Sequence, residues 1–168
     1  TDISWADAAD AIDGLTGLVE NNSIWLGNDP SGTTDTAAYN VALGTTALDA
    51  VTTGDKNVSI GYGASGALTT GYENIAVGYN ALTAHTVDSR TFVGSEAGDA
   101  ITTFSYNTAL GFRAMSANLS SSDGYNTAIG SEAAKAITGG YNTYLGARSG
   151  DAASSGDSNT AVGADSLG

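Results

Sequence analysis

Residues able to do chemistry are sparse in this chain. The only histidine is His85, and Asp88 and Arg90 follow within the next five positions. Together these three form a candidate polar contact site. A catalytic His–Asp pair would also need a nucleophile and a cleft, and no Ser or Thr is singled out by context. Glu96 and Glu132 are the other candidates, as the paired carboxylates of a polysaccharide-cleaving enzyme. They fall in one repeat column with Arg113 between them, which reads as a charge ladder. Zero Cys and a single His exclude thiolate and two-histidine metal sites. No Asp-x-Asp-x-Asp-Gly calcium loop occurs. The expectation is a protein without catalytic residues, cofactor or metal.

The elements that would have to position such residues follow from composition and repetition. The 168 residues carry 5 Lys plus Arg against 18 Asp plus Glu, a net charge of −13. So few cations cannot build the basic face that nucleic acid or anionic lipid requires. No apolar run approaches the ~20 residues of a membrane span. The expected partners therefore include neither nucleic acid nor a membrane interior. Glycine is abundant at 23 residues, proline occurs once, and 41% of residues are hydrophobic. That is enough to fold.

One pentad dominates the sequence: Asn, then any residue, a small one, an aliphatic one, and Gly. It reads NVALG at 40–44, NVSIG at 57–61, NIAVG at 74–78, NTALG at 107–111, NTAIG at 126–130, NTYLG at 142–146 and NTAVG at 159–163. SIWLG at 23–27 and RTFVG at 90–94 are degenerate copies. The closing glycines, from Gly27 to Gly163, are spaced by 17, 17, 17, 16, 17, 19, 16 and 17. Other columns keep the register. Alanine stands six residues after every closing glycine from Gly44 to Gly146, and two residues after it Glu96, Arg113, Glu132, Arg148 and Asp165 alternate in sign. Alternation pairs opposite charges only if successive repeats stack at the ~4.8 Å strand spacing.

The pentad alternates with the strand period. Its second residue is β-branched and its fourth aliphatic, so these two are expected to point inward and the small third residue outward. On that expectation Trp25, Phe92 and Tyr144, which interrupt the third column, are exposed aromatics able to stack on sugar rings. With Trp25, the binding candidates are thus His85, Asp88, Arg90, Phe92 and Tyr144. Glycine ends the strand, and an aliphatic follows seven residues later (Val51, Leu68, Ile101, Ile137). The Asn column is expected to stack as an amide ladder at the corner. A coil this thin has little core of its own, which favours an oligomer. Thr52, Thr69, Thr86, Thr102 and Thr138 also recur eight residues after glycine, the kind of array found in an ice-binding solenoid.

Residues 1–22 lie outside the period and read as an N-terminal cap, a short helical or irregular segment. Residues 23–168 form the repeat domain, expected to continue beyond residue 168. The expected fold is all-β, a parallel β-roll or β-solenoid of about nine ~17-residue coils.

The pentads and their T-T-G spacers resemble the repeats of trimeric autotransporter adhesin heads, and more closely the related arrays of bacteriophage tail-fibre proteins. Those adhesin heads use a shorter repeat. The resemblance implies a left-handed roll with three chains around a common axis. It also implies attachment or spacing rather than catalysis. The expected role is a phage tail-fibre segment, shaft or receptor-binding, carried on the virion and contacting a host polysaccharide or receptor. A bacterial surface adhesin is the alternative, and an ice-binding solenoid a weaker one.

Overall fold

The computed structural model describes residues 17–27, 33–83, 88–102, 106–117, 124–152 and 155–167. Its ten strands are β1 (Gly17–Glu20), β2 (Ser23–Leu26), β3 (Val41–Leu43), β4 (Val58–Ile60), β5 (Ile75–Val77), β6 (Thr91–Val93), β7 (Thr108–Leu110), β8 (Thr127–Ile129), β9 (Thr143–Leu145) and β10 (Thr160–Val162). They make one sheet in sequence order. From β2 to β10 every neighbour is parallel, and the pairing register follows the pentad: Ile24 opposes Val41, Val41 opposes Val58, and so on to Thr143 opposite Thr160. Chain order, parallel pairing and a one-repeat step between partners define a β-solenoid, as the repeat predicts. No helix occurs among the described residues.

The start of the chain departs from expectation. Residues 17–20 form a strand, not a helix, and β1 pairs antiparallel with β2. Asn21 and Asn22, both at positive φ (49° and 58°), join them. Two consecutive left-handed residues make the tight hairpin turn whose twist suits flanking strands, and Asn tolerates that conformation better than most residues. Residues 1–16, the rest of the expected cap, fall outside the described residues.

The sidedness of the pentad is the reverse of the sequence expectation. The third residue is buried in every strand from β2 to β10, while the second and fourth are exposed or half-buried. Trp25, Phe92 and Tyr144 therefore lie in the core, 1% exposed or less. The physical reason is depth. Opposite the strand runs a turn wall whose own residues fill most of the interior, including Ala47, Leu48, Ala64, Leu82, Ala114 and Met115, all buried. Ala or Ser fits the remaining gap; two aliphatic side chains per strand do not. The aliphatics seven residues after glycine, Val51, Leu68, Ile101 and Ile137, are buried as expected.

The turn wall is itself a ladder. Leu48, Leu82 and Met115 donate their N–H groups to the carbonyls of Ala64, Ala97 and Ala133 one coil on. All three adopt left-handed φ near 50°. Such a conformation costs a non-glycine residue roughly 1–2 kcal/mol, and here it directs the N–H at the next coil. The closing glycines answer a different constraint. A Cβ on Gly94 would sit 2.3 Å from the Gly111 carbonyl oxygen, so stacked backbones leave no room for a side chain there.

Candidate functional site

Turning the small column inward turns the aliphatic columns outward. Ile24, Val41, Leu43, Ile75, Leu110 and Leu145 are 37–47% exposed, and Val162 is 65% exposed. None of the second and fourth pentad residues from β2 to β10 is charged. The outer face of the sheet is thus an uncharged stripe, ~40 Å long at the strand spacing, aliphatic at the fourth pentad position of every strand and Thr at the second from β6 to β10. In a chain of net charge −13, that is the surface least opposed to meeting another copy.

Tyrosines rim the stripe. On the corner before the strands, Tyr106, Tyr125 and Tyr141 stack with ring centroids 4.8 and 5.1 Å apart. Each is more than half exposed. Beyond the closing glycines, Tyr62 and Tyr79 stack at 5.5 Å. Farther along that edge, Arg113 lies over the Phe112 ring. The predicted charge column is present in part: Arg113 Nε meets Glu96 Oε2 at 2.5 Å, and Arg148 meets Asp165 with both Nε and Nη2, while Glu132 pairs with Lys135 of its own coil at 2.9 Å. These contacts hold Glu132 and Asp165 below, and Arg113 and Arg148 above, their ordinary pKa values, mainly through the side-chain hydrogen bonds.

The amide ladder is also present. Asn57 donates both its backbone N–H and its Nδ2 to Asn40 Oδ1, and Asn74 does the same to Asn57. Asn126, Asn142 and Asn159 continue it through backbone N–H groups. Ser23 Oγ starts it by accepting from Asn40 N.

No family model matches the chain. No curated protein and no solved structure compared with it matches either.

The six binding candidates do not form one site. Trp25, Phe92 and Tyr144 face the interior, where Trp25 Nε1 and the Tyr144 hydroxyl have no hydrogen-bond partner among the described residues. They cannot stack on an external ligand. His85 lies outside the described residues. Asp88 is half-buried and accepts the Tyr72 backbone N–H at 3.0 Å; its charge raises the Tyr72 phenol above the usual range. Arg90 is 1% exposed. The described residues hold no cluster of three or more His, Asp or Glu side chains able to take a metal. A depression of about 320 Å³ between Asn21, Asn22, Asp35, Thr36 and Ala38 has one titratable group, Asp35. No described helix is long and apolar enough to cross a membrane. The Thr52 hydroxyl donates to the Thr69 carbonyl, so it is committed to the coil stack and not presented to ice.

Sequence reasoning missed the outward apolar stripe, although its signal was available. A buried Asn in pentad position one forces position three to the same side, because side chains alternate along a strand.

Proposed function

We propose that this solenoid is a structural and attachment segment of a homotrimeric fibre, of the kind found in bacteriophage tail fibres. The observation that carries the reading is the uncharged apolar stripe. A monomer rarely exposes a continuous apolar surface of this length unless something covers it. A second copy is the fitting cover, because the stripe repeats every coil and matches itself in parallel register. Three copies, and a left-handed winding, follow the resemblance to adhesin heads and phage fibres. The rimming tyrosines then sit near the seams between copies, where aromatic residues contribute most to interfaces. What stays outward is the charge column and repeated shallow polar surface. Such a surface suits spacing, or multivalent attachment to a host polysaccharide.

Light scattering on the purified chain tests the assembly and should return about three times the 16.7 kDa chain mass. A stable folded monomer would sink the reading. A glycan array run beside glycosidase substrates tests the role, and substrate hydrolysis abolished by Glu96→Gln or Glu132→Gln would replace attachment with catalysis.

A further inference from the structure

The amide ladder has one defect. Asn40, Asn57, Asn107, Asn126 and Asn142 each supply an acceptor, Oδ1, to the backbone N–H of the Asn one coil on. At the fifth register Arg90 stands in the column, equally buried. Arginine has five N–H donors and no acceptor. Nε, Nη1 and Nη2 are all buried without a hydrogen-bond partner among the described residues. Leaving a charge uncompensated inside a protein costs several kcal/mol, on the order of what a whole small domain has to spare.

Asp88 favours the Arg90 charge, but among the described residues it makes no hydrogen bond to the guanidinium. Its Oδ1 is engaged by the Tyr72 backbone N–H. That is the ordinary duty of its column, since Asp55 and Asp157 accept from the N–H groups of Ala38 and Gly140 in the same way. Burial lowers the Arg90 pKa to about 9, which still leaves the guanidinium charged at neutral pH. At 1% exposure no side chain of a second copy reaches it.

A buried fork of donors with no hydrogen-bond partner among the described residues is the complement of an anion. We propose that the ladder break at Arg90 binds one small monovalent anion, a halide or a carboxylate, as an internal part of the solenoid. The ion supplies the acceptor that Asn supplies in other coils. Because the site is closed, the ion enters on folding or local opening, and its occupancy is read as stability. This inference does not depend on the fibre reading.

The experiment is thermal unfolding of the full chain at pH 7 and constant ionic strength, with sodium chloride or sodium formate replacing the bulky sulfonate of a MOPS salt. A ligand bound only by the folded state raises Tm in step with the logarithm of its concentration. The wild type should show that rise. Arg90→Asn, which restores the ladder, should be stable without it and flat in both salts. A rise with chloride alone assigns a halide, and one with formate alone a carboxylate. The same rise in both proteins means surface adsorption of an adventitious ion only and overturns the site, as does no rise at all. Should Arg90→Asn not fold, the wild type still decides. Wild-type protein refolded in radiolabelled chloride or carbon-13 formate and then desalted should retain about one ion per chain, which supports the site, and retention of neither overturns it.

Discussion

Gly98 is the counterpart of Phe92: a Cβ added at Gly98 would lie 2.5 Å from Phe92 Cδ1 and Cε1. Gly150 stands in the same relation to Tyr144, whose Cε1 would be 2.3 Å away. Three coils with a small inward strand residue have a larger one on the turn wall, Ala42 with Leu48, Ala76 with Leu82 and Ala109 with Met115, whereas Ser59 stands with Ser65 and Ala128 with Ala134. A large side chain is thus present on at most one of the two walls in each of these coils.

The pairing predicts a coupled response. Phe92→Ala alone leaves a cavity and should cost about 3–5 kcal/mol. Gly98→Leu alone overpacks against Phe92 and should cost at least ~1–3 kcal/mol. The double variant reproduces the Ala76–Leu82 arrangement, so urea unfolding should show it more stable than either single variant by about 1–3 kcal/mol. Additive losses would mean that the two positions do not share one space.

Much of the architecture is legible in the pentads. The glycine spacing gives the strand register residue by residue, the Asn column gives the corner ladder, and the sign alternation gives the Arg113–Glu96 and Arg148–Asp165 contacts. Sidedness is harder because both faces of the pentad are apolar, so a period-two pattern does not say which face is inside. The thinness of the coil decides it, and thinness is a property of the opposite wall. The local sign of that wall is a glycine four residues after the closing glycine wherever the third column is Phe92 or Tyr144. The candidate site was less legible. The pattern puts its aromatics on the outer face, and it marks Arg90 as a departure from Asn and a neighbour of His85 and Asp88, neither of which signals a buried fork of donors.

The closing glycines should differ sharply in tolerance. Gly94→Ala pushes a methyl group into the Gly111 backbone and should cost more than about 3 kcal/mol. Gly163→Ala meets nothing within 4 Å and keeps only the strain of φ 123°, about 1–3 kcal/mol. Equal losses in thermal unfolding would contradict the stacking account.

Arg113→Glu would put three acids in a row, with Glu96 and Glu132 on either side. The loss should be modest, at most about 1 kcal/mol, since the Arg113–Glu96 pair is partly exposed. It should shrink as salt rises from low ionic strength, because screening weakens the new repulsion. A loss independent of salt would trace to the Phe112 contact instead.

Stability should depend on pH in two opposing ways. Lys135 holds Glu132, and Arg148 holds Asp165, below their ordinary pKa values. Their contribution is present above the unfolded values and disappears as pH falls through the folded ones. Asp99 is the reverse: burial, then Glu96, raise it. Its contribution is present below the unfolded value and lost as pH rises through the folded one. Asp99→Asn should therefore raise Tm at pH 7 and make no difference in acid below the unfolded value. A lower Tm at pH 7 would show that its carboxylate is satisfied.

The outer stripe can be tested separately from the fold. Leu110 is 47% exposed, and in the sheet it pairs with Val93 on one side and Ile129 on the other. Its backbone bonds do not involve the side chain, and a lysine there can extend into solvent, so the single chain should change by no more than about 0.5 kcal/mol. In the proposed trimer the outcome differs. The same substitution introduces one charge per chain into a surface that otherwise has none, and around a shared axis those charges face one another with little water between them. Leaving such a charge unpaired in an interface core costs several kcal/mol. Leu110→Lys, or the pair Leu110→Lys with Ile129→Lys, should then keep the β-rich circular dichroism spectrum while light scattering falls to the mass of one chain. Lysine on the opposite wall, at half-buried Ala136, provides the control and should leave assembly intact. An unchanged oligomer with the double lysine variant would mean that copies associate elsewhere, and the apolar stripe would then have to serve some other partner.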